Sequence, residues 1–291
     1  MLDSRYVTPV LDWYAANARD LPWRRPGTTP WGVLVSEIML QQTPVARVLP
    51  VWTEWMARWP APRDLAAEPS GAAVRAWGRL GYPRRALRLH ESAGAIVERH
   101  GGRVPSSYDA LRALPGIGSY TAAAVASFAY QQRHAVLDTN VRRVLARLVA
   151  GKEYPPTAQT AAEVKLAESL LPPDPPVAAR WSVAMMELGA LVCTARTPRC
   201  VDCPVAASCA WLLAGRPPHD GPPRRGQTYA GTDRQCRGRL LDVLRGAPGP
   251  VDKIALDIVW SDAVQRERAL AGLIADGLVA PLTDGRYALP A

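Results

Sequence analysis

Helical periodicity runs almost unbroken from Trp13 to Trp211, and this pattern restricts the possible folds more than any other feature of the chain. Apolar residues recur three and four apart in "GVLVSEIMLQQ", "AVRAWGRLG", "RALRLHESAGAIVERHG", "YTAAAVASFAY" and "NVRRVLARLVAG", with Pro and Gly marking the breaks. The alternation of a half-buried strand is absent until the tail. A mainly α fold is expected over residues 1–214, followed by a linker over 215–234, where "GRPPHDGPPRRGQTYAGTDRQ" is dense in Pro, Gly and Arg. Beyond it, Arg237–Arg245, Asp252–Trp260 and Ala263–Asp276 read as short helices. Two strand-like pieces flank Asp284-Gly285, a hairpin signal. Three helices and a hairpin predict a small winged-helix-like domain over 235–291.

Charge narrows the partners. The formal net charge is +9, and residues 1–214 carry 24 basic against 17 acidic side chains. A basic surplus in the larger part favours a nucleic-acid partner. The start, "MLDSRYVTPVLDWY", has no basic segment leading into an apolar core, so no signal peptide is apparent. No apolar run approaches the roughly 18 residues of a membrane helix. A soluble cytoplasmic protein is the expectation, with no membrane partner.

Four of the five cysteines lie in "CTARTPRCVDCPVAASC", at Cys193, Cys200, Cys203 and Cys209. A disulfide framework belongs to an oxidising compartment, which the N-terminus argues against. Structural zinc loops usually present two C-x2-C knuckles, and here only Cys200 and Cys203 form one. Four thiolates on one short loop, with Pro204 after Cys203, suit a [4Fe-4S] cluster; zinc is the competing reading. Cys236 stands apart as a free thiol.

"LPGIGSYTAAAVASFAY" places Gly116 and Gly118 in a tight turn between two helices. Unobstructed N–H groups at a helix start hold phosphate oxygens without a side chain, although an ordinary helix–helix turn has the same letters. In "LDTNVRRVLARLV", Asp138 precedes a helix with Val141, Val144, Leu145 and Leu148 on one face. Asp is a good N-cap, worth about 1 kcal/mol. The same N–H groups favour its ionised form, and an anion so held steadies a developing cation. Glu37 falls on the core-facing or crevice-facing side of "WGVLVSEIMLQQT". Buried without a cation it would keep a proton near neutrality, as a general acid must; a half-exposed surface glutamate is the alternative.

These pieces together resemble the iron–sulfur helix-hairpin-helix DNA glycosylases, and within them the MutY-type adenine glycosylases. The resemblance spans roughly Leu21 to Trp211. It rests on "LPWR", "SEIMLQQTPV", "WGRLGYPRRALRLH", "LPGIGSYTA", "LDTNVRRVLAR" and "MMELGALVCTARTPRC", in that order. It implies a helix-hairpin-helix glycosylase core: a six-helix barrel over about 23–134, a cluster lobe from 1–22 and 135–214, and a DNA-binding cleft between them. The implied partner is double-stranded DNA with a mismatched or damaged pair, bound by a monomer.

The resemblance also implies roles. Relatives with lyase activity use a lysine just after the hairpin glycines, and here Tyr120 takes that place, so a Schiff-base nucleophile is lacking. The implied enzyme is a monofunctional base excision repair hydrolase that removes adenine opposite 8-oxoguanine or guanine. Glu37 protonates the base, Asp138 stabilises the oxocarbenium ion, and Tyr120 and Asn140 support sugar and carboxylate. Gln41, Gln42, Thr43 and Tyr82 wedge into the duplex, where a polar helix end is the plainer reading of the glutamines. Leu114, Gly116 and Gly118 grip the backbone, and Arg84, Arg85 and Arg88 either meet phosphates or form a solvated face.

The chain departs from the family in four ways. Pro83 replaces a usual tyrosine. Ser182 and Val183 stand where relatives place Asn and Gln or Glu. "LDTNV" replaces the commoner "LDGNV". Most MutY-type relatives carry a domain related to nucleotide-pool hydrolases of more than about a hundred residues, whereas the winged-helix-like pattern over 235–291 is not expected to be one, which puts discrimination of 8-oxoguanine in doubt. Two rivals follow: a thymine glycosylase acting on T:G mismatches, and a non-catalytic iron–sulfur DNA-binding protein.

Overall fold

The computed structural model describes residues 4–221 and 229–291, so part of the expected linker, 222–228, lies outside the described residues. Among the described residues there are fifteen α-helices, three short 3-10 helices and one two-stranded sheet. In chain order the helices before the linker are α1 (Ser4–Asn17), α2 (Pro30–Leu40), α3 (Val45–Arg58), α4 (Pro62–Ala66), α5 (Ser70–Trp77), α6 (Arg84–His100), α7 (Tyr108–Arg112), α8 (Ser119–Tyr130), α9 (Thr139–Leu148), α10 (Ala161–Leu170), α11 (Pro175–Leu191) and α12 (Ala210–Leu213). After it come α13 (Asp233–Gly246), α14 (Lys253–Asp257) and α15 (Ala263–Ala275), then β1 (Ala280–Pro281) and β2 (Tyr287–Ala288). The mainly helical expectation holds. Contacts divide the chain into two compact units: the described residues of Met1–Val33, Ser106–Ala113 and Ile117–Pro223, and those of Leu34–Pro105, Leu114–Gly116 and Arg224–Ala291.

In the first unit α11 is the central element, packed against α1, α8 and α9. Its Ala178, Trp181, Met185 and Leu188 meet Tyr6 and Val10 of α1, and Val141, Val144, Leu145 and Leu148 of α9, in one core. The four α9 residues are the stripe read from the sequence. Helix α8 buries seven consecutive residues, Thr121 to Ser127. A helix buried on all sides needs small side chains so that neighbouring backbones can approach, and its Ala-rich sequence supplies them. Side chains cap the helix starts: Asp174 accepts from the Val177 N–H at 2.9 Å ahead of α11, and Thr160 forms a capping box with Glu163 ahead of α10.

The second unit is built on tryptophan. Trp55 meets Trp59 and Trp77 edge-on, with ring centroids 4.8 and 5.7 Å apart. Each buried indole N–H must find an acceptor: Trp55 Nε1 donates to Ala76 O at 3.0 Å, and Trp77 Nε1 to Gly81 O at 2.9 Å. The second bond pins the turn between α5 and α6.

The C-terminal residues form the three helices and hairpin expected, with Gly285 at φ +82 in the turn and Ala280 paired to Ala288. Two boundaries differ. Helix α13 starts four residues earlier than Arg237, because Thr232 caps it by accepting from the Gln235 N–H. Helix α14 stops at Asp257 rather than Trp260. The Trp260 carbonyl accepts from Arg266 at 2.7 Å and Asp262 caps α15, so these residues belong to the next turn. Cys236 is fully buried in α13.

Candidate active site

Asp138 does what an N-cap does, and more. One carboxylate oxygen accepts from the Val141 N–H at 2.7 Å, and the other from Asn140 Nδ2 at 2.8 Å. Asn140 is held in turn: its Oδ1 accepts from Arg143 Nη2 at 2.9 Å. Arg143 also donates to the carbonyls of Gly189 and Cys193, each at 2.8 Å. The carboxylate is thereby oriented by a chain that ends at the first cysteine of the loop. Burial pushes the Asp138 carboxyl above the usual carboxylate range, against the opposing pull of Val141, Asn140 and the Arg143 charge. A carboxylate deprived of water is a strong partner for a cation that forms beside it. Gly189 allows this packing, since a Cβ there would sit 2.7 Å from Asn140 Cβ. Tyr120, in the first turn of α8, packs on the small cluster of Ala123, Ala124 and Val136.

Glu37 lies in α2 and is only 5 % exposed, so the half-exposed reading does not hold. It is flanked along the helix by fully buried Val35, Ser36 and Met39.

The expected wedge residues divide by conformation. Gln42 and Tyr82 both have left-handed backbones, at φ +55 and +48, and Tyr82 is 48 % exposed. Such conformations in non-glycine residues cost of order 1 kcal/mol or more and persist where neighbours over-determine them. Here the neighbours are identifiable. Thr43 is buried, 6 % exposed, and its hydroxyl donates to Leu80 O at 3.1 Å, tying the 41–43 turn to the 78–82 turn. Arg85 reaches inward to the carbonyls of Ile38, Gln41 and Gly81, and lies over the rings of Tyr82 and Trp77. Burial lowers its pKa to about 10. Arg85 is therefore a strut between the turns, whereas Arg84 and Arg88 keep their heads in solvent, paired with Asp276 and Glu91.

At the hairpin, Gly116 has φ +73, and a Cβ there would come within 2.7 Å of Arg88 Cβ. Gly118 starts α8 with open space where its side chain would be. Leu114 turns its side chain into the core, leaving the backbone of this turn as its accessible part.

Cys193, Cys200, Cys203 and Cys209 are all half-buried. Burial, and then the charges of the other three thiols, push Cys203 up to about 11. As placed, no group of three or more His, Cys, Asp or Glu side chains among the described residues could hold a metal ion. The chemistry of the donors fits an iron–sulfur group: four thiols that repel one another when ionised, with no carboxylate or imidazole among them. Arg147, 1 % exposed, stands 3.4 Å from Cys193 Sγ, stacks on Trp211, and donates to the carbonyls of Glu153, Thr194 and Ala195. Arg143 and Arg147 were missed in the sequence. Their signal is there: two arginines four apart, on the same side of α9 as Val144 and Leu148, where charge is not expected.

Glu187 is a second such residue. It is fully buried and receives Arg19 through two side-chain bonds of 2.7 Å and Arg24 through one of 2.9 Å. Burial alone would raise this carboxyl; the two guanidiniums outweigh it and hold it at about 2. The pair ties "LPWR" to "MMELG". Ser182 is also buried, its hydroxyl donating to Ala178 O at 3.1 Å.

Residues 35–169 match the HhH-GPD superfamily base excision DNA repair proteins. The chain is 57 % identical over 287 residues to an adenine DNA glycosylase of Mycobacterium tuberculosis, covering 97 % of this chain and 93 % of that one. It belongs to the adenine DNA glycosylase family. Among solved structures it resembles a thermostable thymine-DNA glycosylase with a TM-score of 0.65 at 28 % identity, over 72 % of this chain and 95 % of that one. It also resembles endonuclease III in a non-covalent DNA complex, with a TM-score of 0.59 at 25 % identity, over 75 % of this chain and all of that one. The adenine glycosylase likeness is twice as close in identity as the thymine one, and extends through the C-terminal module. Among the described residues no helix is long and apolar enough to cross a membrane.

Proposed function

We propose that this adenine DNA glycosylase works as a monofunctional hydrolase, with Glu37 and Asp138 as its two carboxylates. Family membership makes it a base excision repair enzyme that cleaves N-glycosyl bonds. The mispairs acted on, adenine opposite 8-oxoguanine or guanine in double-stranded DNA, are part of the proposal, as is a monomer acting in the cytoplasm where the DNA is. The Asp138 carboxylate carries this reading: half-buried, and fixed through both oxygens by Val141 and Asn140.

Adenine leaves poorly as an anion. Glu37 transfers its proton to a ring nitrogen as the bond from C1′ to the base breaks, and the bonding electrons leave with the base. Positive charge develops on the sugar, where Asp138 stabilises it electrostatically or by a transient bond, and Asn140 and Tyr120 keep carboxylate and sugar in place. Water then bonds to C1′ and its proton restores Glu37. The base must first leave the stack, at a cost of a few kcal/mol that is lower at a mismatch. Gln42 and Tyr82, with Gln41 beside them, occupy the opened pair, and the backbone of Leu114, Gly116 and Gly118 holds a phosphate. Thr43 contributes by joining the two wedge turns. Cys193, Cys200, Cys203 and Cys209 would hold a [4Fe-4S] cluster, which when bound supplies a redox-active centre and cross-links the end of α11 to the following loop.

Single-turnover release from duplexes with A opposite 8-oxoguanine, A opposite G and T opposite G tests this reading. Adenine release that disappears in Glu37→Gln, with duplex binding retained, is expected. Unchanged turnover in that variant would remove Glu37 from the mechanism, and release of thymine alone would assign the rival activity.

A further inference from the structure

Within the second unit, the turn between α5 and α6 is strained where it carries Tyr82. Left-handed backbones occur at Gly78, φ +53, at Gly81, φ +86, and at Tyr82 itself, φ +48. Glycine adopts such a conformation freely, whereas tyrosine keeps it only where the surroundings over-determine it. Trp77 and Arg85 both donate to Gly81 O, and Thr43 donates to Leu80 O. Two further arginines flank Tyr82 in sequence, and each meets a carboxylate of the C-terminal module. Arg79 pairs with Asp242 at 3.0 Å, and Arg84 with Asp276 at 3.2 Å.

Both carboxylates are themselves fixed. Asp242 lies in α13 and also receives Arg245 of the same helix at 3.6 Å. Asp276 follows α15 and also receives Arg237 of α13. Gly272 leaves room for that second pair: a Cβ there would lie 2.5 Å from Arg237 Nη1 and push the guanidinium aside. The module is fastened to α5 at separate points. The Gly71 N–H donates to Pro290 O at 2.9 Å, so close that a Cβ on Gly71 would lie 2.3 Å from that oxygen. Arg75 donates to Ala247 O at 2.8 Å, and Arg245 donates to Val74 O at 3.0 Å. The helix leading into the turn and the turn itself are thus tied to the same module.

We infer that Asp242 and Asp276 are positioning residues for base release: through them the C-terminal module braces the turn before and after Tyr82 and keeps that ring aimed. The inference rests on the glycosylase reading in taking Tyr82 as the wedge. Neither ion pair is strong, since the Arg79 side chain is 81 % exposed and exposed pairs add little to stability. Their effect comes from placement. Only Leu80 to Pro83 lie between the tethered residues, and Pro83, at φ −63, already has that angle fixed by its ring. Two weak tethers therefore restrict the short stretch of backbone that directs Tyr82. The module acts on the reaction in this way without touching the base or the sugar.

The test is amide hydrogen exchange over 78–86 in the free full-length protein, read beside single-turnover base release. The Leu80, Arg85 and Ala86 N–H groups donate to the carbonyls of Trp77, Tyr82 and Pro83, so their exchange reports opening of the turn. Asp242→Asn with Asp276→Asn should raise exchange in this segment about 10-fold and slow release at saturating enzyme about 10-fold. Affinity for an undamaged duplex should not fall, because only negative charge is removed. Asp276→Glu keeps the charge and should hold part of the wild-type rate. The control, Asp284→Asn, breaks the module's exposed pair with Arg286 and should change neither exchange nor release. Unchanged exchange or an unchanged rate in the double variant would overturn the inference. So would an equal change in the control, or a loss of affinity as large as the loss of rate. Should the double variant melt early, Arg84→Gln leaves the Arg237–Asp276 pair whole and should still raise exchange. Because exchange is read without DNA, a wild-type protein that releases no adenine, with variants that show the rise, would refute the glycosylase reading alone.

Discussion

Arg143 holds Asn140: its Nη2 donates to Asn140 Oδ1 at 2.9 Å, so the amide must turn its Nδ2 toward Asp138. A carboxylate at a helix N-terminus is ordinary. One whose second oxygen is aimed by an asparagine, itself aimed by a buried arginine, has its orientation decided from outside the helix cap.

Replacing Arg143 by Gln is therefore expected to slow base release at saturating enzyme by about 10- to 100-fold, with duplex affinity changed only a few-fold. Lys keeps the charge but loses the fork, and should restore only part of the rate. Single-turnover kinetics set against a binding titration separate orientation from affinity; losses of equal size in both would show Arg143 to be structural only.

Asp138→Asn should separate catalysis from stability. Asn is as good an N-cap as Asp, so α9 keeps its start. The anion goes, and release should slow by about 10²–10³-fold, as when other transition-state partners are removed. Burial raises this carboxyl, so ionisation costs the folded state more than the unfolded one, and wild-type stability falls relative to the variant as pH rises from the unfolded carboxylate range through the raised value. Below that range the two should melt alike; at neutral pH the variant should be at least as stable. A variant less stable at pH 7 would mean that the N–H bonds outweigh burial.

The Glu187 pair has the opposite sign. Its carboxyl is held at about 2, so its stabilisation is complete above the ordinary glutamate range of about 4.3 and is lost as pH falls from there toward 2. Glu187→Gln leaves Arg19 and Arg24 facing a neutral amide in a buried site, and should cost about 3 kcal/mol near neutrality. Denaturant titrations at pH 7 and pH 3 should show that gap narrowing in acid; a constant gap would refute the assignment.

Gly116→Ala is expected to be unusually costly for so small a change, about 2 kcal/mol, because it combines a left-handed backbone with a Cβ 2.7 Å from that of Arg88. Gly118→Ala meets open space at φ −85 and should leave stability nearly unchanged. If the turn holds a phosphate, the second variant should still weaken DNA binding. Melting curves and duplex titrations on the pair distinguish the two roles.

The sequence by itself determined the helical class, the order of the elements, the three helices and hairpin at the C-terminus, and the α9 stripe of Val141, Val144, Leu145 and Leu148. Those features are local: periodicity, caps and turn residues act within a few positions of themselves. The positions of Glu37, Asp138 and the four cysteines were likewise legible, because motif spacing is local. Tertiary structure alone decided what each side chain does at its position. That Thr43 and Arg85 act as struts between two turns was not legible, because it depends on partners far along the chain, Leu80 and Ile38. Arg143, Arg147 and Glu187 look like surface charge, yet long-range contacts bury each one and give it a partner. Helix α13 lies against α5 only because Gly71 and Arg75 bond to Pro290 and Ala247, far along the chain. Burial and pairing are properties of segments that meet in space, and a periodic pattern does not say which segments meet.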